Sequence, residues 1–518
     1  MADAIHPPGA LPRAGRRVTN ALLPVTDAAA ALLLAADLGV VIVSVLARSL
    51  FNAPVEWADD VARGLMVAFA LFGAASALAR GENPGVVFFR ALLPPRGQRI
   101  AGDVFFARPW RDAAIAVAVL ALVAGFYLLG DAWLDEAMPS SGTLMLVGFV
   151  ITLAGGLPIG FAPALAALIF IWAEGNLPGV IFAQQMARGI DNFVLLAIPF
   201  FILVGYLMEA NGMSVRLIEL LQRLVGRLRG GLNVVMVTAM VLFSGISGSK
   251  MADVAAVGAV LIPASRRSGQ NPGSAVALLA ASAVMAETIP PCINLIILGF
   301  VANLSIGGLF AAGLLPAALM AAAMRRLWFG AGVSPGLLIA MIFIGFKSGF
   351  ATATEISAFA ALSAMVVGSV VFRELGPSAC WRSCTQAAAR SGLVLFIVAT
   401  AQSLAFVLTL QQIPHAVGAF MVELSHEGGT WLFMLLSIGI LIVMGSVLEG
   451  AAALIIFGPL LVPVAVQPGL PPLQYGVVLV IAMGIGLFAP PLGLGLHGTC
   501  LIGKVPVEQT VRPHLMGY

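Results

Sequence analysis

Four short stretches carry side chains able to handle ions, and each interrupts an apolar run. Ser244-Gly245-Ile246-Ser247-Gly248-Ser249-Lys250 and Thr288-Ile289-Pro290-Pro291 lie mid-chain; Gly445-Ser446-Val447-Leu448-Glu449-Gly450 and Ala489-Pro490-Pro491 lie near its end. Hydroxyls and unwound carbonyls are hard oxygen ligands for a small cation. The unpaired N–H groups of a helix start favour a carboxylate. The candidate cation ligands are Ser244, Gly245, Ser249, Thr288, Pro290, Gly445, Ser446, Pro490 and Gly493, with Thr352 and Thr354 ahead of Glu355 at a further Gly-bounded break. Ser247, Gly248, Lys250, Asn294 and Glu449 are the candidates for contact with an anionic substrate. Lys250 either meets a substrate carboxylate or pairs with Asp253, three residues on, and Glu287, Lys347 and Glu355 read as structural ion pairs before direct ligands. The chemistry suits an anionic substrate moving with sodium ions; close helix packing through Gly, Ser and Pro is the competing use of the same residues.

Such interruptions need a particular solvent around them. The 518 residues are 60% hydrophobic and 10% charged, with 27 Lys and Arg against 24 Asp and Glu. Soluble proteins carry roughly 25% charged residues, so soluble enzymes, disulfide scaffolds, nucleic-acid binders and disordered chains are excluded. At about 20 apolar residues per crossing, the length allows on the order of 12 to 16 spans. The chain reads as an all-α polytopic membrane protein whose solvent is the lipid bilayer. Formal charge is +3, too little to argue for an acidic partner. Residues 1–27 read as a cytoplasmic tail, with Arg13, Arg16 and Arg17 ahead of the first apolar run. Spans follow near Ala28–Leu50, Val61–Leu78 and Ala113–Leu129, the last beyond a basic stretch from Arg80 to Arg111. From about residue 138 the spans become rich in Gly, Ala, Ser and Pro, which divides a small membrane domain over 28–137 from a large one over 138–518.

The large domain repeats itself at an offset of 200 residues: Gly245, Ala252, Gly258, Leu261, Pro263 and the pair Pro290-Pro291 recur as Gly445, Ala452, Gly458, Leu461, Pro463 and Pro490-Pro491. Tandem duplication follows, with repeats of about 143–323 and 333–518. Arg216, Arg223, Arg227 and Arg229 mark one segment, whereas its mate near Gln411–Gly429 holds Glu423 and Glu427 and no Lys or Arg. Positive residues gather on cytoplasmic loops, so the halves are expected to be inverted. Counting from a cytoplasmic N-terminus puts the Arg-rich segment outside, so one span is miscounted. Apolar flanks of about 10 residues are too short to cross, the pattern of a re-entrant hairpin. Interrupted backbone survives in hydrocarbon only where protein or a watery cavity satisfies it.

At these residues the sequence resembles the tripartite ATP-independent periplasmic (TRAP) transporters. Gly189-Ile190-Asp191-Asn192-Phe193 through Ile198-Pro199-Phe200-Phe201, Ser247-Gly248-Ser249-Lys250-Met251-Ala252-Asp253, Ile289-Pro290-Pro291 and Gly476-Val477-Val478 through Pro490-Pro491-Leu492-Gly493 are similar to that family's large membrane subunit over 143–518. Thr352-Ala353-Thr354-Glu355 resembles its Thr-Pro-Thr-Glu signature with the proline replaced, and Glu449-Gly450 stands where many relatives have Asp-Pro. Arg48-Ser49-Leu50-Phe51-Asn52-Ala53-Pro54, then Glu56-Trp57-Ala58-Asp59-Asp60, Arg63 and Arg80-Gly81-Glu82, are similar to the small membrane subunit. The resemblance implies a natural fusion of both subunits in a bacterial inner membrane. It further implies an inverted-repeat transport domain with two re-entrant hairpins and broken helices that moves as an elevator, driven by sodium and fed by an extracytoplasmic soluble substrate-binding protein. The small domain would brace it as a scaffold. An elevator symporter for sodium and an anion that needs no soluble partner is the alternative.

Other patterns fall away. Gly493-Leu494-Gly495-Leu496-His497-Gly498 fits a dinucleotide-binding glycine pattern but follows no strand. His426-Glu427 lacks the second histidine of a metalloprotease helix, and Cys380 to Cys384 has the wrong spacing for a redox pair. No enzyme constellation emerges.

Overall fold

The computed structural model describes residues 13–80, 140–225, 231–323 and 352–511, except positions 52, 54, 155, 156, 158, 248, 249, 291, 448, 449, 467, 468, 491 and 492. Every element among them is helical, and five helices are long and apolar enough to cross a bilayer, with shorter apolar helices between. The expected span over 113–129, the basic stretch 81–111 and Lys347 lie outside the described residues.

The chain opens with α1 (Arg13–Phe51) and α2 (Ala58–Arg80). The apolar part of α1 is Leu22–Ser49, and at 1.5 Å per residue it exceeds the ~30 Å hydrocarbon thickness. Asp59 and Asp60 occupy the first turn of α2 and Arg80 its last, each sign suited to the helix dipole. Then come α3 (Ser141–Ala154), α4 (Phe161–Glu174), α5 (Val180–Ile190), a 3-10 turn at Phe193–Leu196, α6 (Ala197–Ala210), α7 (Met213–Val225), α8 (Gly231–Ser247), α9 (Lys250–Arg267), α10 (Pro272–Ala286), α11 (Ile293–Val301) and α12 (Ile306–Ala323). The second half holds α13 (Ala353–Val366), α14 (Pro377–Leu410), α15 (Ile413–Val447), α16 (Gly450–Val466), α17 (Pro472–Phe488) and α18 (Leu494–Gly503).

Two compact units interleave along the sequence. In the first, drawn from Met1–Leu32, Val67–Asn192 and Ala389–Ala416, Asp27 accepts from Arg80 at 2.6 Å and from the Ser76 hydroxyl, fixing the start of α1 to the end of α2. Gly392 on α14 lies so near Gly73 and Ala74 that a Cβ there would meet the Ala74 nitrogen at 2.6 Å. Small residues allow this backbone approach where no hydrophobic force drives helices together. Met145, Ala166, Phe170, Leu404 and Val407 share this unit's core.

The second unit comprises Leu33–Met66, Phe193–Ala388 and Val417–Tyr518. Its central helix α10 is buried all round, as an apolar helix without a polar face must be. Asn271 caps α10 through its side chain, accepting from the Gly273 N–H at 2.8 Å, with Pro272 at the first helical position. The helix pattern obeys the sequence repeat. α10 and α17 begin at Pro272 and Pro472, 200 positions apart.

Part of the segments expected to be broken is helical. Ser244, Gly245 and Ser247 continue α8, and Gly445, Ser446 and Val447 continue α15, so their backbones are not unwound. Glycine and serine weaken a helix by up to ~1 kcal/mol each, whereas an unmade backbone hydrogen bond in hydrocarbon costs several.

Candidate functional site

The prolyl breaks are built by local sterics. A proline disfavours helical geometry in the residue before it, and Ala489, preceding Pro490, has φ −71° and ψ 130° and ends α17. In the first half α10 stops at Ala286, Glu287 and Thr288 form a turn, Pro290 follows, and extended Cys292 opens α11. The Thr288 hydroxyl donates to the Met285 carbonyl at 2.9 Å, and the Thr288 carbonyl packs against Gly313 of α12, where no Cβ would fit.

This turn assembles a polar cluster. Glu287 is buried, and its Oε2 accepts from Asn294 Nδ2 at 2.7 Å and from Cys292 Sγ at 3.6 Å. Lys250, the first residue of α9, lies within electrostatic reach of Glu287, Asp253 and Cys292. The other half of the repeat closes in on the same place. A Cβ on Gly484 of α17 would sit 3.0 Å from Glu287 Cγ, and one on Gly450, at the start of α16, would sit 3.2 Å from Asn294 Nδ2. Of the sequence candidates for the anion, the structure joins Lys250 and Asn294; Gly248 and Glu449 lie outside the described residues, as does the side chain of Ser247. Glu287, read from sequence as a structural acid, is the residue that links them.

The candidates for a cation fall in separate places. Gly445 and Ser446 lie where α15 crosses α17: a Cβ on Gly445 would meet the Met483 carbonyl at 2.5 Å, and Ser446 Oγ donates to the Ile442 and Gly486 carbonyls at 2.8 and 2.9 Å. A hydroxyl that donates its hydrogen retains lone pairs, so packing does not exhaust the Ser446 oxygen. Gly493 opens α18, with its N–H on the Ala489 carbonyl at 2.7 Å and its own carbonyl 3.0 Å from His497 Nδ1. Pro490 stands in the turn between them. Ser249 lies outside the described residues, as do the side chains of Ser244 and Gly245's surroundings.

Thr352 and Thr354 belong to another cluster. Thr352 caps α13: its Oγ1 accepts from the Glu355 N–H at 3.4 Å while Glu355 Oε2 accepts from the Thr352 N–H at 2.7 Å, a reciprocal capping box. Thr354 donates to the Phe193 carbonyl at 3.2 Å. The other Glu355 oxygen lies 2.7 Å from the Arg48 guanidinium. A cavity of about 330 Å³ opens beside them, lined by Ser44, Arg48, Glu56, Asp59, Thr352 and Glu355 among others. Among the described residues no group of three or more His, Cys, Asp or Glu forms a metal cluster.

Comparison with known proteins bears on this arrangement. Residues 146–337 and 329–516 match the family described as tripartite ATP-independent periplasmic transporter, DctM component, and residues 37–174 match the DctQ component. A 2,3-diketo-L-gulonate TRAP transporter large permease protein of Escherichia coli is 35% identical over 385 residues, covering 70% of this chain and 90% of that protein. An isethionate TRAP transporter permease protein, DctMQ, of Oleidesulfovibrio alaskensis is 31% identical over 451 residues, 82% of this chain and 68% of that one. A sialic acid TRAP transporter permease protein of Haemophilus influenzae is 25% identical, with 92% of each chain covered.

Proposed function

Because the chain belongs to the tripartite ATP-independent periplasmic transporter family, with DctQ and DctM components fused in one multi-pass permease of the bacterial inner membrane, we propose that it imports a small organic anion together with sodium ions, taking the anion from a soluble extracytoplasmic binding protein. The permease is a transporter and not an enzyme, as its relatives are. The observation that carries the reading is the convergence of Gly450 and Gly484 from one repeat on Asn294 and Glu287 of the other. Pairing of broken helices at a repeat interface is how secondary transporters build a midplane site.

In this reading α8–α9 and α15–α16 are re-entrant hairpins of an inverted pair, carried past the small N-terminal domain as an elevator, and the N-terminus is cytoplasmic. Lys250 and Asn294 contact the anion, with Ser247, Gly248 and Glu449 at the hairpin tips. Sodium is cargo, held by oxygens of Ser244, Gly245, Ser249, Thr288 and Pro290 in one half and of Gly445, Ser446, Pro490 and Gly493 in the other, with Thr352 and Thr354 completing the set. Charge supports the coupling. Two acids, Glu287 and Asp253, act on Lys250 among the described residues, and an anion entering a low-dielectric site beside acids is repelled unless cations enter with it.

The test is uptake of labelled organic acids by proteoliposomes holding the full chain, with and without an inward sodium gradient and the soluble partner. Uptake should need both. Uptake indifferent to sodium overturns the coupling, and full uptake without the partner assigns the chain to the directly loaded type of symporter.

A further inference from the structure

The bond between Asn294 and Glu287 fixes which atoms of the amide remain for a substrate. Asn294 is the second residue of α11 and half-buried, while Glu287 is the buried residue that ends α10. A carboxylate oxygen is an acceptor, and at 2.7 Å the Asn294 amide turns its NH2 to Glu287 Oε2. The usual ambiguity between amide oxygen and nitrogen is removed by this partner. Cys292 donates to the same carboxylate oxygen at 3.6 Å, which holds that oxygen in the turn between α10 and α11. What Asn294 then offers is Oδ1, an acceptor, beside one remaining N–H, a donor. That pair is ill-suited to a carboxylate, which only accepts, and it matches hydroxyl groups, which both give and take a hydrogen bond.

We propose that Asn294, oriented by Glu287, selects hydroxylated organic anions over their deoxy counterparts, Oδ1 accepting from one substrate hydroxyl and Nδ2–H donating to it or its neighbour. Lys250 answers the carboxylate of the same substrate, so Asn294 reads the part of the molecule that Lys250 does not. This rests on the organic-anion reading above and deepens it. Glu287 is a positioning residue here: its Oε2 accepts from Asn294 and Cys292. Gly484 and Gly450 of the opposite repeat lie close by, a Cβ on them reaching to 3.0 Å of Glu287 Cγ and 3.2 Å of Asn294 Nδ2.

The experiment is ligand-dependent thermal stabilisation of the purified full chain in detergent and saturating sodium, without the soluble partner, using pairs matched in skeleton and charge: L-malate and succinate, D-gluconate and hexanoate, glycolate and acetate. A site built to bond a hydroxyl rejects the analogue that lacks it strongly, so within a responding pair the hydroxylated acid should act at about tenfold lower concentration. Asn294→Leu should bring the two members to within about twofold while the deoxy acid still stabilises the protein, which shows that the variant is folded. Glu287→Gln, whose amide lets Asn294 turn over, should narrow the ratio less. Equal response by both members in the unaltered protein overturns the proposal. So does an Asn294→Leu variant that keeps the full ratio, or one that raises the sodium requirement equally for both members, which would make Oδ1 a cation ligand. Silence towards every acid instead overturns the organic-anion reading on which the proposal stands.

Discussion

The guanidinium of Arg48 lies 2.7 Å from Glu355 Oε1, although 307 positions separate the two residues in sequence. Arg48 falls in the part of the chain that matches the DctQ component and Glu355 in the part that matches DctM. Glu355 spends its second oxygen on the Thr352 N–H, so one carboxylate caps α13 and also ties the two components together.

A double-variant cycle separates these two duties. Arg48 is half exposed, at 46% for its side chain, but Glu355 is shielded at 7%, so Arg48→Gln leaves a shielded carboxylate without its counter-ion and should lower thermal stability measurably in detergent. Glu355→Ala removes that carboxylate together with its half of the capping box and should destabilise as well. Because both changes delete the same pair, the double variant should lose less than the two single losses added together. Strict additivity would show that the pair contributes nothing.

The crossing of α15 and α17 should tolerate no side chain. A Cβ on Gly486 would lie inside contact distance of the Ile442 carbonyl, whereas one on Gly439, also on α15, would meet nothing within 4 Å. Backbone cannot yield as a flexible side chain can, so Gly486→Ala should destabilise by about 1–3 kcal/mol or more, the cost of overpacking. Gly439→Ala should match or slightly exceed the parent, since alanine is the better helix former. Equal melting temperatures for the two variants would contradict this geometry.

Much of the repeat was legible because prolines and glycines fix backbone by local sterics, and local rules survive translation into structure. The starts of α10 and α17 at Pro272 and Pro472 follow the offset read from sequence. The extent of the breaks was not legible: Ser244 and Ser446 look like loop residues, but hydrocarbon favours keeping their backbones hydrogen-bonded. The role of Glu287 was also hidden. Its bond to Asn294 crosses a non-helical turn, and the glycines that confine the pair come from residues 450 and 484, a distance over which spacing carries no signal. Glu355 was expected to form an ion pair and does, yet nothing in the sequence singled out Arg48 as its partner.

Lys250 offers a direct test of substrate contact. It shares its surroundings with Glu287 and Asp253, so Lys250→Ala leaves two acids with no nearby ammonium from this residue and removes the positive charge that answers a carboxylate. Uptake of every organic acid that the permease carries should fall at least about tenfold, the equivalent of roughly 1.4 kcal/mol of binding, with hydroxylated and deoxy acids affected alike. Ser446→Ala should behave differently, raising the half-saturating sodium concentration while leaving the preference among acids untouched, because its hydroxyl lies on Gly486 and Ile442 carbonyls. Normal uptake by Lys250→Ala would assign that lysine to pairing with the acids alone.

The start of α1 supplies the last prediction. Asp27 and Arg80 are each largely shielded, with side chains 19% and 25% exposed, and lie 2.6 Å apart; the Ser76 hydroxyl donates to the other Asp27 oxygen. Removing one member of a shielded pair leaves the other charge without its counter-ion, which costs more than the pair itself contributes. Arg80→Ala should therefore destabilise the protein, leaving Asp27 with the serine alone among the described residues. Adding Asp27→Asn should restore part of that loss, since the asparagine oxygen still accepts from Ser76 and no charge is left behind. Melting curves of the parent, both single variants and the double variant in one detergent decide the matter. A double variant less stable than Arg80→Ala would mean that Asp27 holds α1 in place through some other contact, and the account of this helix pair would have to be rebuilt.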